Sequence, residues 1–400
     1  MDFSNKSKLI RFLARRLPSP VKSKLRRLKE KFSSADSITR SEIEWRPDVN
    51  LNSQVRIIIG PANFAGQADQ WVRAAERNYA SVSGVSMARS QNLLNFKCDY
   101  EIDPAIYRRA DWSKRQEAWI RDNFTHVLVD GMRPILGPRV SNDCRNEIPM
   151  LSEMGLKVGL IAHGSEIRIP SLHAEIYPSS PFRNVPDQFK NQVAVLEGNS
   201  KVLNRFFNDF AGPKFVSTVD LLDFAPTATY LPTVITPSEW ITESKISLSN
   251  KPTVLHLPSN GLLKGSHLID PVLHQLSEKG IIRYLRPDHV TPGGVAELIW
   301  QADIVVEQVV LGLYSVMAIQ AMAAGRLTIA HVPDHVRARI PIDGIPLVDA
   351  SIENLAEKIL NAISNASEYE SLAQQGPAFV SSLHDGNASA AAMANFLGME

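Results

Sequence analysis

The chain has 400 residues, 44% of them apolar and 21% charged, a balance that supports a sizeable core and excludes an intrinsically disordered polymer. No stretch reaches the roughly eighteen uninterrupted apolar residues of a membrane span, and the N-terminal cluster "LIRFLARRL" is broken by Arg11, Arg15 and Arg16, so it does not read as a signal-peptide core. The net charge of +1 is uneven: residues 1–31 carry eleven Lys or Arg against Asp2 and Glu30, a local +9 that leaves −8 on the rest.

That basic end is the first predicted element. Leu9, Ile10, Phe12, Leu13 and Leu17 fall within two helical turns, Pro18 and Pro20 break the pattern, and Val21, Leu25 and Leu28 resume it. Such a helix can lie on an anionic membrane surface, each basic residue contributing about 1 kcal/mol. The competing reading is a solvated extension that only aids solubility. Nucleic acid is not an expected partner, because the body is acidic and the segment lacks interleaved aromatics. Residues 1–53 thus form a basic extension ending in the polar linker "SSADSITRSE". The expected location is the cytoplasm, peripheral to the inner face of the membrane where the extension docks. Cys98 and Cys144 lack metal-type spacing and read as reduced structural thiols.

A strand is predicted over Val55–Ile59, followed by the loop "GPANFAGQ" and a helix from about Asp69 to Tyr79. Further strands are predicted at His126–Val129 and Lys157–Ala162, separated by a helix over Glu147–Met154 closed by Gly155. Strands alternating with helices indicate a parallel sheet covered on both faces. The Pro- and Thr-rich run "DFAPTATYLPTVITPSEW" marks the passage to a second half near residue 235. There, strands are predicted at Val254–Leu257, Ile281–Leu285, Asp303–Val306 and Leu327–Ala330, with helices at His267–Glu278, Val295–Gln301 and Val316–Ala324. The fold class is α/β, with two Rossmann-like doubly wound domains: 54–235, joined by a C-terminal helix 378–400, and 236–377.

In such sheets ligands bind outside the carboxyl ends of the strands. Three loops there stand out. In "PSNGLLKG" Lys264 lies between strand and helix, where a cation and helix N-terminal amides can hold a diphosphate. In "LGLYS" a glycine turn leads to Ser315, a candidate N-cap. In "HGSEIR" His163 ends a strand of the first half. Neither G-x-x-x-x-G-K-[ST] nor G-x-G-x-x-G occurs, which argues against a nucleotide triphosphatase and a typical dinucleotide dehydrogenase.

With "PSNGLLKG", "ADIVVEQ", "GLYSVMAIQAMAAGR", "HGSEIR" and "GPANFAGQ" together, the chain resembles the GT-B glycosyltransferases, in particular the GT4-like group, over roughly residues 55–395. The resemblance implies a retaining, metal-independent, hexosyltransferase-like enzyme that moves a sugar from a UDP- or GDP-type donor to a glycan, lipid-linked or polymer acceptor, as in polysaccharide biosynthesis. It implies no cofactor beyond the nucleotide-sugar co-substrate, in keeping with the lack of an Asp-x-Asp pair. Lys264 and His163 take the catalytic roles, Lys264 neutralising the leaving diphosphate. Ser259, Asn260, Gly312, Tyr314, Ser315 and Gln320 complete the donor side, and Gly66, Gln67 and His163 face the sugar and acceptor. One departure stands out: the family's Glu-x7-Glu pattern is replaced by Gly312 and Gln320, and a neutral amide at 320 loses charge-assisted acceptance of a ribose hydroxyl. That keeps open a catalytically inactive GT-B protein acting as a glycan-binding or partner-enzyme scaffold. An epimerase acting on the nucleotide sugar needs acid/base carboxylates that the sequence does not assign.

Overall fold

The computed structural model describes residues 39–89, 96–139, 142–287, 290 and 293–399. The basic segment 1–31 and its membrane-facing expectation lie outside the described residues.

The first half is a seven-stranded sheet in the order β3-β2-β1-β4-β5-β6-β7. Its strands are β1 (Val55–Gly60), β2 (Val82–Arg89), β3 (Tyr100–Ile102), β4 (His126–Asp130), β5 (Lys157–Ala162), β6 (Lys214–Val216) and β7 (Thr229–Tyr230). The second half is a five-stranded sheet in the order β12-β11-β10-β8-β9, from β8 (Thr253–Leu255), β9 (Arg283–Leu285), β10 (Ile304–Gln308), β11 (Leu327–Ala330) and β12 (Leu347–Asp349). Every neighbouring pair is parallel.

Side chains alternate across a strand, so a parallel sheet covered on both faces needs apolar residues at every position. The packing follows that rule. Ile57, Ile59, Leu128 and Ile161 join one core cluster, whereas their neighbours Ile58, Val127, Val129 and Leu160 join another on the opposite face. In the second half Val254, Ile304 and Val306 face one way, and Leu255 and Val305 the other.

The polar stretch read as a linker ends in structure. Thr39 caps a short helix, Arg40–Glu44, through a capping box with Glu42, and Ile43 is buried in the first-half core. At the far end of the chain, the helix Gly376–Leu383 packs on the second-half helix Val316–Ala323. The next helix, Asn387–Leu397, lies on the first half: Tyr79 Oη donates to the Ala390 carbonyl at 3.2 Å, and Phe396 packs against Phe215 and His126. The chain therefore crosses back between residues 384 and 386. It crosses beside the outgoing segment, since Ile235 N donates to the His384 carbonyl at 3.0 Å and His384 Nδ1 donates to the Thr233 carbonyl at 2.7 Å. Tyr314, Ala318, Ile319, Met322, Phe379 and Val380 of the second half share a core cluster with the first-half strands, so the contact between the halves is apolar and continuous.

Candidate functional site

A cleft of about 680 Å³ opens between the halves. Gly66, Gln67, Arg73 and Arg77 line it from the first half and Trp240, Val316 and Gln320 from the far side of the crossing. Gly66 and Gln320, which the sequence assigns to opposite substrates, thus share one cavity. Gln67 also borders it, but its amide is committed: Nε2 donates to the Val234 carbonyl at 2.9 Å and Oε1 accepts from Val234 N at 2.7 Å. Its place in the structure is to clamp the outgoing segment.

Lys264 sits in a tight loop between β8 and the helix Ser266–Glu278. Asn260 builds that loop, its Oδ1 accepting from Leu262 N at 3.1 Å and Leu263 N at 3.2 Å, whereas Ser259 is exposed. Gly265, at φ 71°, turns the chain into the helix, and Ser266 Oγ donates to His256 Nε2 at 2.9 Å. The Lys264 ammonium donates to Ser315 Oγ at 2.9 Å and pairs with Glu307 Oε1, which Ser315 Oγ also reaches at 2.7 Å. Glu307 is 3% exposed and its second oxygen is buried with no hydrogen-bond partner. Because Ser315 spends its hydroxyl on Glu307, it makes no side-chain cap to the helix Val316–Ala323. The first-turn amides of that helix, one turn from Gln320 and next to the Lys264 ammonium, stay available for an anion.

Gly312 and Tyr314 lie elsewhere. Gly312 adopts φ 77°, and a Cβ there would fall 2.5 Å from Tyr177 Cε1 of the first half. His173 Nε2 donates to the Leu311 carbonyl at 3.2 Å, while Leu311 and Leu313 bury against Phe182. Tyr314 is 6% exposed, and its hydroxyl donates to His384 Nε2 at 3.2 Å. Both residues belong to the packing between the halves, away from the lining of the cleft.

His163 follows β5. Its Nε2 donates to Asp130 Oδ1 at 2.5 Å, its Nδ1 lies 3.1 Å from Ser217 Oγ, and its ring stacks on Trp71 and meets the edge of Phe64. Burial alone pulls the His163 pKa down; the charge of Asp130 and its hydrogen bond more than reverse this, and the net shift is upward. Asp130, fully buried at the end of β4, also accepts from Asn63 N at 2.6 Å. The rest of "HGSEIR" is structural: Glu166 Oε2 accepts from the His163 and Gly164 amides at 3.2 and 2.9 Å, and Arg168 forms a buried ion pair with Asp220. Asn63, Ala65 and Met132, on the loops after β1 and β4, all hold positive φ. Strained backbone of this kind gathers at ligand-facing loops.

Asp130 and Glu307 are the site residues that sequence reasoning missed. Each lies at the end of an apolar strand run, "HVLVD" and "IVVEQ", and a carboxylate at that end of a doubly wound sheet was the available signal. Among the described residues no group of three His, Cys, Asp or Glu side chains is placed to hold a metal ion.

No family profile matches the chain, and no curated protein matches it in sequence. Solved structures match it in fold. Sucrose-phosphate synthase from Thermosynechococcus elongatus superposes with a TM-score of 0.58 at 11% identity, covering 86% of this chain and 98% of that one. Anabaena HepE, solved with UDP and glucose, gives 0.54 at 13% identity over 86% and 99%. A glycosyltransferase from Rickettsia africae gives 0.53 at 11% identity over 86% and 98%. The chain has the GT-B fold. At these identities, 11 to 13%, the likeness is one of fold alone.

Proposed function

We propose that the chain is a glycosyltransferase that moves a sugar from a nucleotide-sugar donor of UDP or GDP type to a glycan or lipid-linked acceptor, with retention and without a metal ion. The observation that carries this reading is the Lys264 ammonium, 2.9 Å from Ser315 at the uncapped N-terminus of the cleft-lining helix Val316–Ala323. Breaking the bond from sugar to phosphate builds negative charge on the diphosphate, and a fixed ammonium beside oriented amides stabilises that charge as it forms. The fold shared with HepE, solved with UDP and glucose, supports a UDP-type donor. In this reading the acceptor binds on the first-half side, near Gly66 and His163. The basic segment 1–31 is proposed to bring the enzyme to an anionic membrane surface from the cytoplasm.

Calorimetry with UDP and GDP tests the donor site. Lys264→Ala is expected to weaken binding about tenfold or more, equal to about 1.4 kcal/mol, with the fold retained. Unchanged affinity for every nucleotide that the wild type binds overturns the assignment. Gln320 favours a second reading, the inactive scaffold, because it lines the cleft where a carboxylate is expected. Sugar-nucleotide turnover by the wild type rules that reading out.

A further inference from the structure

We infer that Arg89 and Arg133 form a subsite for an oxyanion, phosphoryl or carboxylate, carried by the acceptor. The inference rests on the transferase reading for the word acceptor, but its observations lie wholly in the first half. Arg89 is the last residue of β2 and Arg133 follows β4, the two strands that flank β1, so both emerge at the carboxyl edge of the sheet. The Arg133 guanidinium lies over the Phe64 ring at 4.9 Å, and the same ring meets His163 at 5.1 Å. The Arg89 guanidinium lies 5.8 Å from the Tyr107 ring.

Neither arginine has a carboxylate partner among the described residues, and Arg89 Nε is buried without a hydrogen bond. Nearby arginines differ: Arg73 pairs with Asp69, Glu76 and Asp99, and Arg168 with Asp220. The two positive fields overlap, since Arg89 is shifted to lower pKa first by burial and then by the charge of Arg133. Aromatic faces orient a guanidinium without engaging its N–H donors, and a partly desolvated cation whose buried Nε lacks a partner, as in Arg89, is matched by a bidentate oxyanion. The subsite stands one aromatic ring from His163, where an acceptor enters.

The test uses the full chain carrying Lys264→Ala, so that the donor-side cation does not contribute, and titrates it with inorganic phosphate and, separately, acetate. Binding of at least one anion is expected, and which one is tighter tells phosphoryl from carboxylate. Adding Arg89→Gln and Arg133→Gln should weaken that binding tenfold or more, whereas Arg89→Lys with Arg133→Lys should retain most of it. Should the double glutamine variant not fold, Arg133→Gln alone, over a half-buried ring, carries the comparison with an expected loss of threefold or more. Equal affinity in glutamine variant and parent, or no binding of either anion by the parent, overturns the subsite. Failure of the donor reading looks different: the wild type then binds neither UDP nor GDP, whatever the anion titration shows.

Discussion

At the scale of single residues, Lys264 answers the question its position raises only with its partner. Its side chain is 13% exposed and already paired with Glu307, so on the proposed reading a diphosphate competes with a resident carboxylate. Removing one member of a buried ion pair strands the other at a cost of about 3 kcal/mol or more. Glu307→Gln is therefore expected to lower the melting temperature of the free protein. A nucleoside diphosphate then supplies the missing charge, so UDP or GDP should raise the melting temperature more in the variant than in the wild type. Thermal unfolding with and without nucleotide checks this, and equal nucleotide shifts in the two proteins would count against Lys264 as the diphosphate's cation. The lysine was legible because a strand, a small-residue loop and a helix bracket it. Glu307 was not, because a single carboxylate within "IVVEQ" reads as an interruption of an apolar run until β10 and the loop before Ser266 are brought together.

At the scale of elements, the long apolar strands were read nearly to the residue: Lys157–Ala162 and Leu327–Ala330 coincide with β5 and β11. The strands left unassigned have physical reasons to hide. In β2, "VSGVSMAR", Ser83, Gly84 and Ser86 interrupt the apolar residues, and β3, β6, β7 and β12 have two or three residues each, too few to show a period. The loop Leu311–Ser315 illustrates a different limit. Its glycine turn was legible, but its burial against Tyr177 and Phe182 is a property of how the halves meet. Gly312 is expected to tolerate no side chain: Gly312→Ala combines a φ of 77° with a Cβ 2.5 Å from Tyr177 Cε1, both unfavourable. A loss of about 2 to 4 kcal/mol is expected from overpacking and backbone strain together, read as a lowered urea midpoint. Tyr177→Ala in the same chain relieves the clash, so the pair should lose less than the two single changes added. An additive result would place the strain elsewhere.

At the scale of the whole molecule, the fold was legible from the alternation of strands and helices, while the joint between the halves was not, because it is made by side chains distant in sequence. Three buried histidines show what that joint and the sheet beneath it demand. His384 accepts from Tyr314 and donates to Thr233 at the crossing, His173 donates to Leu311, and His126 packs on Phe396 of the returning helix. Burial, the first cause in each case, pushes them down to about 4, about 3 and about 4, so all three are neutral in the folded protein at neutral pH. A histidine whose folded pKa is depressed contributes stability above its unfolded value, near 6.5, and loses it as pH falls toward the folded value. Glu147 works in the opposite sense: burial pushes it up to about 8, so acidification toward its unfolded value relieves a cost. His163, shifted upward, has its stabilisation fully present below about 6.5 and adds no slope there. Between about pH 6.5 and 4.5 the unfolded chain thus takes up protons at these three histidines that the folded chain refuses, and His256, also lowered by burial, adds in the same direction. Folded Glu147, by contrast, already holds one proton that its unfolded form lacks, and each proton of difference is worth about 1.4 kcal/mol per pH unit. Stability should therefore fall as pH drops through that window, visible as a declining urea midpoint. His384→Gln, an amide that can still accept from Tyr314 and donate to Thr233, should make the decline shallower by about one proton's worth, while a slope unchanged by that substitution would show that the crossing does not govern the acid sensitivity of the joint.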